Sequence, residues 1–207
     1  MKKIITSINL IIAILLLANF SYGQDTFDKT VIDKAKKIIL QTKQEIITLK
    51  NIRQKIINGD LNETQKEQIK EQLTFYIERS FNIINDPSNE EQLQYFQSNI
   101  NKFVPKEYVS IINDYINIAK LDLTTEEKID LFFSIYGQGC AIIFVAGELI
   151  ALVGLGLAMV GIVLASLFFW SIIMFPIATA LMGAGLFILV IGLPLMALAI
   201  FCALLFY

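Results

Sequence analysis

The chain has 207 residues, with 17 Lys and Arg against 19 Asp and Glu, a formal net charge of −2 and no His. This near-balance gives no electrostatic argument for binding nucleic acid. The lack of His removes the commonest general base and the commonest metal ligand. The mean hydropathy of +0.60 is an average over three unlike stretches.

The first stretch opens with Met1-Lys2-Lys3, continues as an apolar run from Ile4 to Ala18, and ends in Asn19-Phe20-Ser21-Tyr22-Gly23. A short basic region, an apolar region of this length and small residues at Ser21 and Gly23 predict a secretory signal peptide over 1–23, cleaved to leave Gln24 at the mature end. The run is short for a span of about 20 residues and contains Asn9, which argues against an uncleaved anchor. Richness in Ile, Asn and Lys suits an AT-rich bacterial genome.

The second stretch, 24–137, is charged and reads as an extracytoplasmic helical domain. From Asp28 to Asn58, Ile32, Ala35, Ile39, Thr42, Ile46, Leu49 and Ile56 follow a three–four alternation of coiled-coil type. Ile38, Ile47 and Ile52 widen that seam and Arg53 interrupts it. Asn58-Gly59-Asp60 stops the helix. A second helix over 63–84 puts Ile69, Leu73, Tyr76, Ile77, Ser80 and Ile84 on one side, and Asp86-Pro87 ends it. Ser88 with Glu91 predicts a capping box opening a third helix with Leu93, Phe96 and Ile100. Pro105 begins a fourth, with Tyr108, Ile111, Ile112, Tyr115 and Ile118. Thr124 with Glu127 caps a fifth, carrying Ile129, Phe132, Phe133 and Tyr136. No strand-period stretch with hairpin turns is visible, so one small helical bundle is expected. The first helix is basic and the later ones acidic. A solvated bundle surface explains this, and a basic face on anionic lipid or an acidic partner is the functional alternative.

The third stretch, 138–207, contains a single charged side chain, Glu148. It is too long and too apolar for one core helix and predicts two transmembrane spans, about 140–169 and 172–206, with Trp170-Ser171 as the turn and Pro176 near the start of the return helix. Aromatic residues collect where interfaces would fall: Phe168, Phe169, Trp170 and Phe175 at one side, Tyr136, Phe206 and Tyr207 at the other. A third span would need a bare turn near Gly183-Ala184-Gly185 or Gly192-Leu193-Pro194, which leaves backbone groups unsatisfied in hydrocarbon. Gly137-Gln138-Gly139 offers a break between bundle and span.

Small residues form the sharpest pattern. Gly147, Ala151, Gly154, Ala158, Gly161 and Ala165 are spaced alternately four and three, while Ala178, Gly185, Gly192 and Ala199 recur every seven. These stripes predict a helix-packing seam, because close backbone approach has to replace the hydrophobic effect in lipid. Glu148 lies about 12 Å along the helix from Cys140. As an intramembrane acid it must be protonated, snorkel outwards, or face protein or water. It could handle a proton or an ion, or bond the Val190 carbonyl that Pro194 frees. Cys140 and Cys202 fall at similar depth and could form a disulfide at the open end of the hairpin.

No catalytic, cofactor-binding or metal-ligating signature is present. There is no G-x-S-x-G elbow, no Cys–His pair and no metal-ligand spacing. Gly154-Leu155-Gly156 runs into apolar helix and does not suit a phosphate loop. The expected fold class is therefore all-α: an exported small helical bundle followed by a C-terminal two-span hairpin. The expected role is a membrane-anchored extracytoplasmic interaction or structural protein, as in a subunit of an envelope complex of the bacterial inner membrane. Its partners would be the lipid bilayer, a protein of unknown identity and a second copy of itself, with no nucleic acid. The alternative is a membrane-active, pore-forming or channel-like protein. In architecture, soluble helices before an apolar hairpin with an uncharged tip resemble the pore-forming domain of colicins and other helical toxins.

Overall fold

A computed structural model describes residues 29–137, 139–167 and 173–206. The signal peptide expected over 1–23 and the turn expected at Trp170-Ser171 lie outside them, as do Phe168, Phe169 and Tyr207. Among the described residues the protein is all-α, with seven α-helices, one short 3-10 turn and no strand.

Helix α1 spans Lys29–Ile57. It stops because Gly59 turns left-handed (φ +72°), so that Gly59 N reaches Ile56 O and Asp60 N reaches Lys55 O. Helix α2, Glu63–Asn85, opens on a reciprocal box in which Asn62 Oδ1 accepts from Gln65 N and Gln65 Oε1 accepts from Asn62 N. The box expected at Ser88 and Glu91 is not the one formed. Asp86 Oδ1 accepts from both Ser88 N (2.9 Å) and Ser88 Oγ (2.7 Å), capping a 3-10 turn over Pro87–Asn89 before α3 begins at Glu90. Pro87 is preorganised for a first helical position, so the aspartate before it takes the cap.

Helix α3 is Glu90–Phe103 and α4 is Lys106–Ala119, with Pro105 as its N-cap. Helix α5, Thr125–Tyr136, carries the Thr124–Glu127 capping box in both directions. It ends at Gly137 (φ +51°), so the chain breaks there before the next helix. The two long apolar helices follow: α6, Cys140–Leu167, and α7, Met174–Phe206. Pro176 stands in the first turn of α7, where no intrahelical donor is lost, and α7 runs through Pro194.

The chain separates into two compact units that interleave along the sequence. The first joins residues up to Ile46 with Ala151–Val190, and the second joins Ile47–Ile150 with Ile191–Tyr207. The division passes through α1, α6 and α7 and does not follow the composition change near residue 137. In the first unit, the interior takes Ile32, Ala35, Ile38, Ile39, Thr42 and Ile46 from α1, Ala151, Leu155, Ala158, Ile162 and Ala165 from α6, and Ala178, Met182 and Leu186 from α7.

In the second unit, α4 packs against α2, α3 and α5, and α2 packs against α3 and α5. Its core is aromatic at the centre. Tyr115 is fully buried, lies 5.4 Å from Phe81 and 6.2 Å from Phe132 between ring centroids, and shares a 2.7 Å hydrogen bond with Ser80. Burial pushes the Tyr115 phenol above its ordinary pKa, so it stays neutral. The carbonyl of Ala119 at the end of α4 accepts from Asn85 Nδ2 (2.7 Å) and from the buried Lys128 Nζ (2.9 Å). A cation at a helix C-terminus meets the negative end of its dipole. The α1 seam is inward from Ile32 to Ile46 and again at Ile56, with Leu49 half-buried, but Ile47, expected to widen it, is exposed in the second unit.

Candidate functional site

Helices α6 and α7 are both long and apolar enough to cross a membrane, with mean hydropathies of 2.5 over Cys140–Leu167 and 2.8 over Met174–Leu205. At 1.5 Å per residue they run to about 42 and 48 Å, against a hydrocarbon core of about 30 Å. They differ in exposure. For α7, 89% of its most apolar window is buried within the protein, against 44% for α6. Every residue from Gly185 to Ala203 is buried.

Each glycine of the α6 stripe meets the α7 backbone. In the first unit, a Cβ built on Gly161 would lie 2.4 Å from Met182 N and 2.7 Å from Ala178 O, and one on Gly154 would lie 2.7 Å from Gly185 O. A Cβ on Gly185 would fall 2.3 Å from Ala158 N. In the second unit, a Cβ on Gly147 would lie 2.6 Å from Met196 N and 2.8 Å from Gly192 O. Successive partners step by seven residues on both helices, 161–154–147 against 178–185–192. Ala151, Ala158, Ala165 and Ala199 are fully buried. Glycine is required at these contacts because the facing atoms are backbone and have little room to retreat. Gly156 differs: nothing lies within 4 Å of its Cβ position.

Cys140 and Cys202 are joined in a disulfide, with a Cα–Cα distance of 5.6 Å, within the second unit. It ties the first residue of α6 to the last turns of α7.

Glu148 forms an ion pair with Lys50 of α1, within the second unit. The two side chains are 25% and 45% exposed, so the carboxylate is only partly withdrawn from water. One turn away on both helices, the Arg53 guanidinium sits 4.7 Å over the Phe144 ring. Lys50 and Arg53 thus form a two-cation clasp on α6. Arg53 appears in sequence as an interruption of an apolar seam, and in the structure its cation lies over an aromatic face. Lys50 was one of many cations on a basic helix, and only its place beside Glu148 distinguishes it. Nearer the other end of α7, Phe201 stacks on Phe133 at 6.0 Å and has the Lys70 ammonium 5.8 Å from its ring. Sequence reasoning missed this second aromatic–cation contact, because Phe201 looks like any other residue of an apolar span.

The first unit exposes apolar side chains of α6 as well: Leu152, Met159, Val160, Val163 and Leu167. Among the described residues, no group of three or more His, Cys, Asp or Glu stands where it could hold a metal ion. No protein-family model, curated protein or solved structure matches the chain.

Proposed function

We propose that this is a membrane-active helical protein whose apolar helix α7 is held under protein cover and transferred with α6 to a bilayer as a hairpin. The single observation that carries this reading is the enclosure of α7. A helix of mean hydropathy 2.8 has 89% of its most apolar window buried by its own chain. A helix apolar on all sides belongs either in a protein core or in a membrane, and this one has the length for both. The covered form does not itself suit hydrocarbon. In the first unit, α1 exposes Asp33, Lys34, Lys36, Lys37 and Lys43, and each such charge costs roughly 2.5–3.5 kcal/mol at a bilayer centre. Charged cover and apolar content therefore imply two states, with the balance set by whether a membrane is present. The Lys50–Glu148 pair and the Arg53–Phe144 and Lys70–Phe201 contacts are among the polar links that have to open between them.

A second reading, a permanently inserted anchor for an extracytoplasmic interaction protein, is favoured by the closure of the hairpin. A disulfide and close backbone packing make α6 and α7 a unit that needs no further helix to span. In both readings the disulfide supports export, since such bonds persist outside the cytoplasm, and the signal-like N-terminal stretch supports it too.

Purified full-length protein added to dye-loaded liposomes separates the two. The membrane-active reading expects dye release from added protein, and faster release when Lys50→Ala and Arg53→Ala remove the clasp. The anchor reading expects tight liposomes and protein that remains in native membranes through alkaline washing. Failure of the protein to associate with any vesicle would overturn the proposal.

A further inference from the structure

Among the described residues of the first unit, the charges are all on one helix. Its described parts of α6 and α7 carry none, whereas α1 up to Ile46 carries Lys29, Lys34, Lys36, Lys37 and Lys43 against Asp33 and Glu45. Lys29, Lys36 and Lys43 are seven residues apart, which sets them in one row with about 10.5 Å between neighbours. Lys34, Lys36, Lys37 and Lys43 are exposed. Lys36 has Asp33 at 3.7 Å, but both side chains are more than half exposed and such a pair is easily exchanged for another anion.

Leu40 stands among these lysines. It is 69% exposed, and its helical neighbours at three and four positions are Lys36, Lys37, Lys43 and Gln44. A leucine held in water between ammonium groups contributes nothing to the interior of the unit. The same pattern suits a helix lying in the plane of a bilayer surface, with lysine heads among phosphates and the apolar side chain at the acyl boundary.

We infer that α1 docks the first unit on anionic phospholipid, with Lys36 and Lys43 as headgroup contacts and Leu40 as the shallow apolar contact. This rests on the membrane-active reading and adds a lipid class to it. Charge complementarity selects the anionic lipid, and the exposed leucine selects a bilayer over an acidic protein surface.

The test is flotation of the full chain with two kinds of vesicle, phosphatidylcholine alone and phosphatidylcholine with roughly one-third phosphatidylglycerol. Binding to the anionic vesicles is expected to be at least about tenfold tighter and to weaken as salt is raised. Lys36→Gln with Lys43→Gln should lower anionic-vesicle binding by roughly 10–30-fold and leave neutral-vesicle binding unchanged. Lys36→Arg with Lys43→Arg should retain it, which separates lost charge from lost folding. Leu40→Gln should weaken binding to both. Equal binding to the two vesicles, or full anionic binding by the Gln double variant, would overturn the inference and leave the row to an acidic protein. If dye is still released in that case, the membrane-active reading stands without it. No binding to either vesicle would end both.

Discussion

Gly185 and Gly156 are one residue type in two chemical situations. At Gly185 even a methyl group would come within 2.3 Å of the Ala158 nitrogen, whereas at Gly156 it would enter open space. Gly185→Ala is therefore expected to destabilise the fold by about 1–3 kcal/mol through overpacking. Gly156→Ala should be neutral, or stabilising by up to about 1 kcal/mol, because the helix gains propensity at no steric cost. Thermal unfolding in mild detergent compares them, and equal shifts for the two variants would remove the close seam. The stripe is legible in the sequence because Gly and Ala recur with a fixed period in a segment where no charge competes for attention. The Lys50–Glu148 pair is not legible in this way. Lys50 shares its helix with seven other Lys or Arg residues over 29–55, and only the packing of α1 distinguishes it.

At the scale of elements, helix ends carry the pH dependence. Glu127 is held below its usual 4.5 by hydrogen bonds from the Thr124 backbone and then its hydroxyl. Asp86 is held below 3.8 by the Ser88 hydroxyl and then the Ser88 backbone. Both folded-state values are depressed, so the stability they give is present above the unfolded values and lost as pH falls through the folded ones. Amide exchange in the 3-10 turn over Pro87–Asn89 and in the first turn of α5 should be steady from about pH 8 to 5, once corrected for its intrinsic rate, and should rise below about pH 4. A rise centred near neutrality would contradict this. The helices themselves are legible from apolar spacing, as Leu93, Phe96 and Ile100 or Ile111, Ile112 and Tyr115 show. Their starts are less so. The side chains of Ser88 and Asp86 both suit a cap, and Pro87 decides between them only through its fixed φ.

For the whole molecule, the change in composition near residue 137 is clear in the sequence, yet the compact units cut across it. Composition reports what a segment is made of, and the partners it packs against depend on long-range contacts that no local pattern encodes. The enclosure of α7 belongs to this class: its sequence marks a helix long and apolar enough to span, and no local pattern shows how much of it the rest of the chain covers. The disulfide acts at this scale too. The bonded cysteines are 62 residues apart in sequence, and reduction or Cys140→Ser is expected to cost about 2–4 kcal/mol, measured by denaturant unfolding with and without reductant. An unchanged midpoint would show that the bond is not formed in solution.

On the membrane-active reading, that bond also constrains the path into a bilayer. With Cys140 bonded to Cys202, the two apolar helices stay joined at that end through any such entry. On that reading they advance together, with the uncharged segment 168–172 leading, and a protease cut within that segment would leave both halves on a single covalent thread.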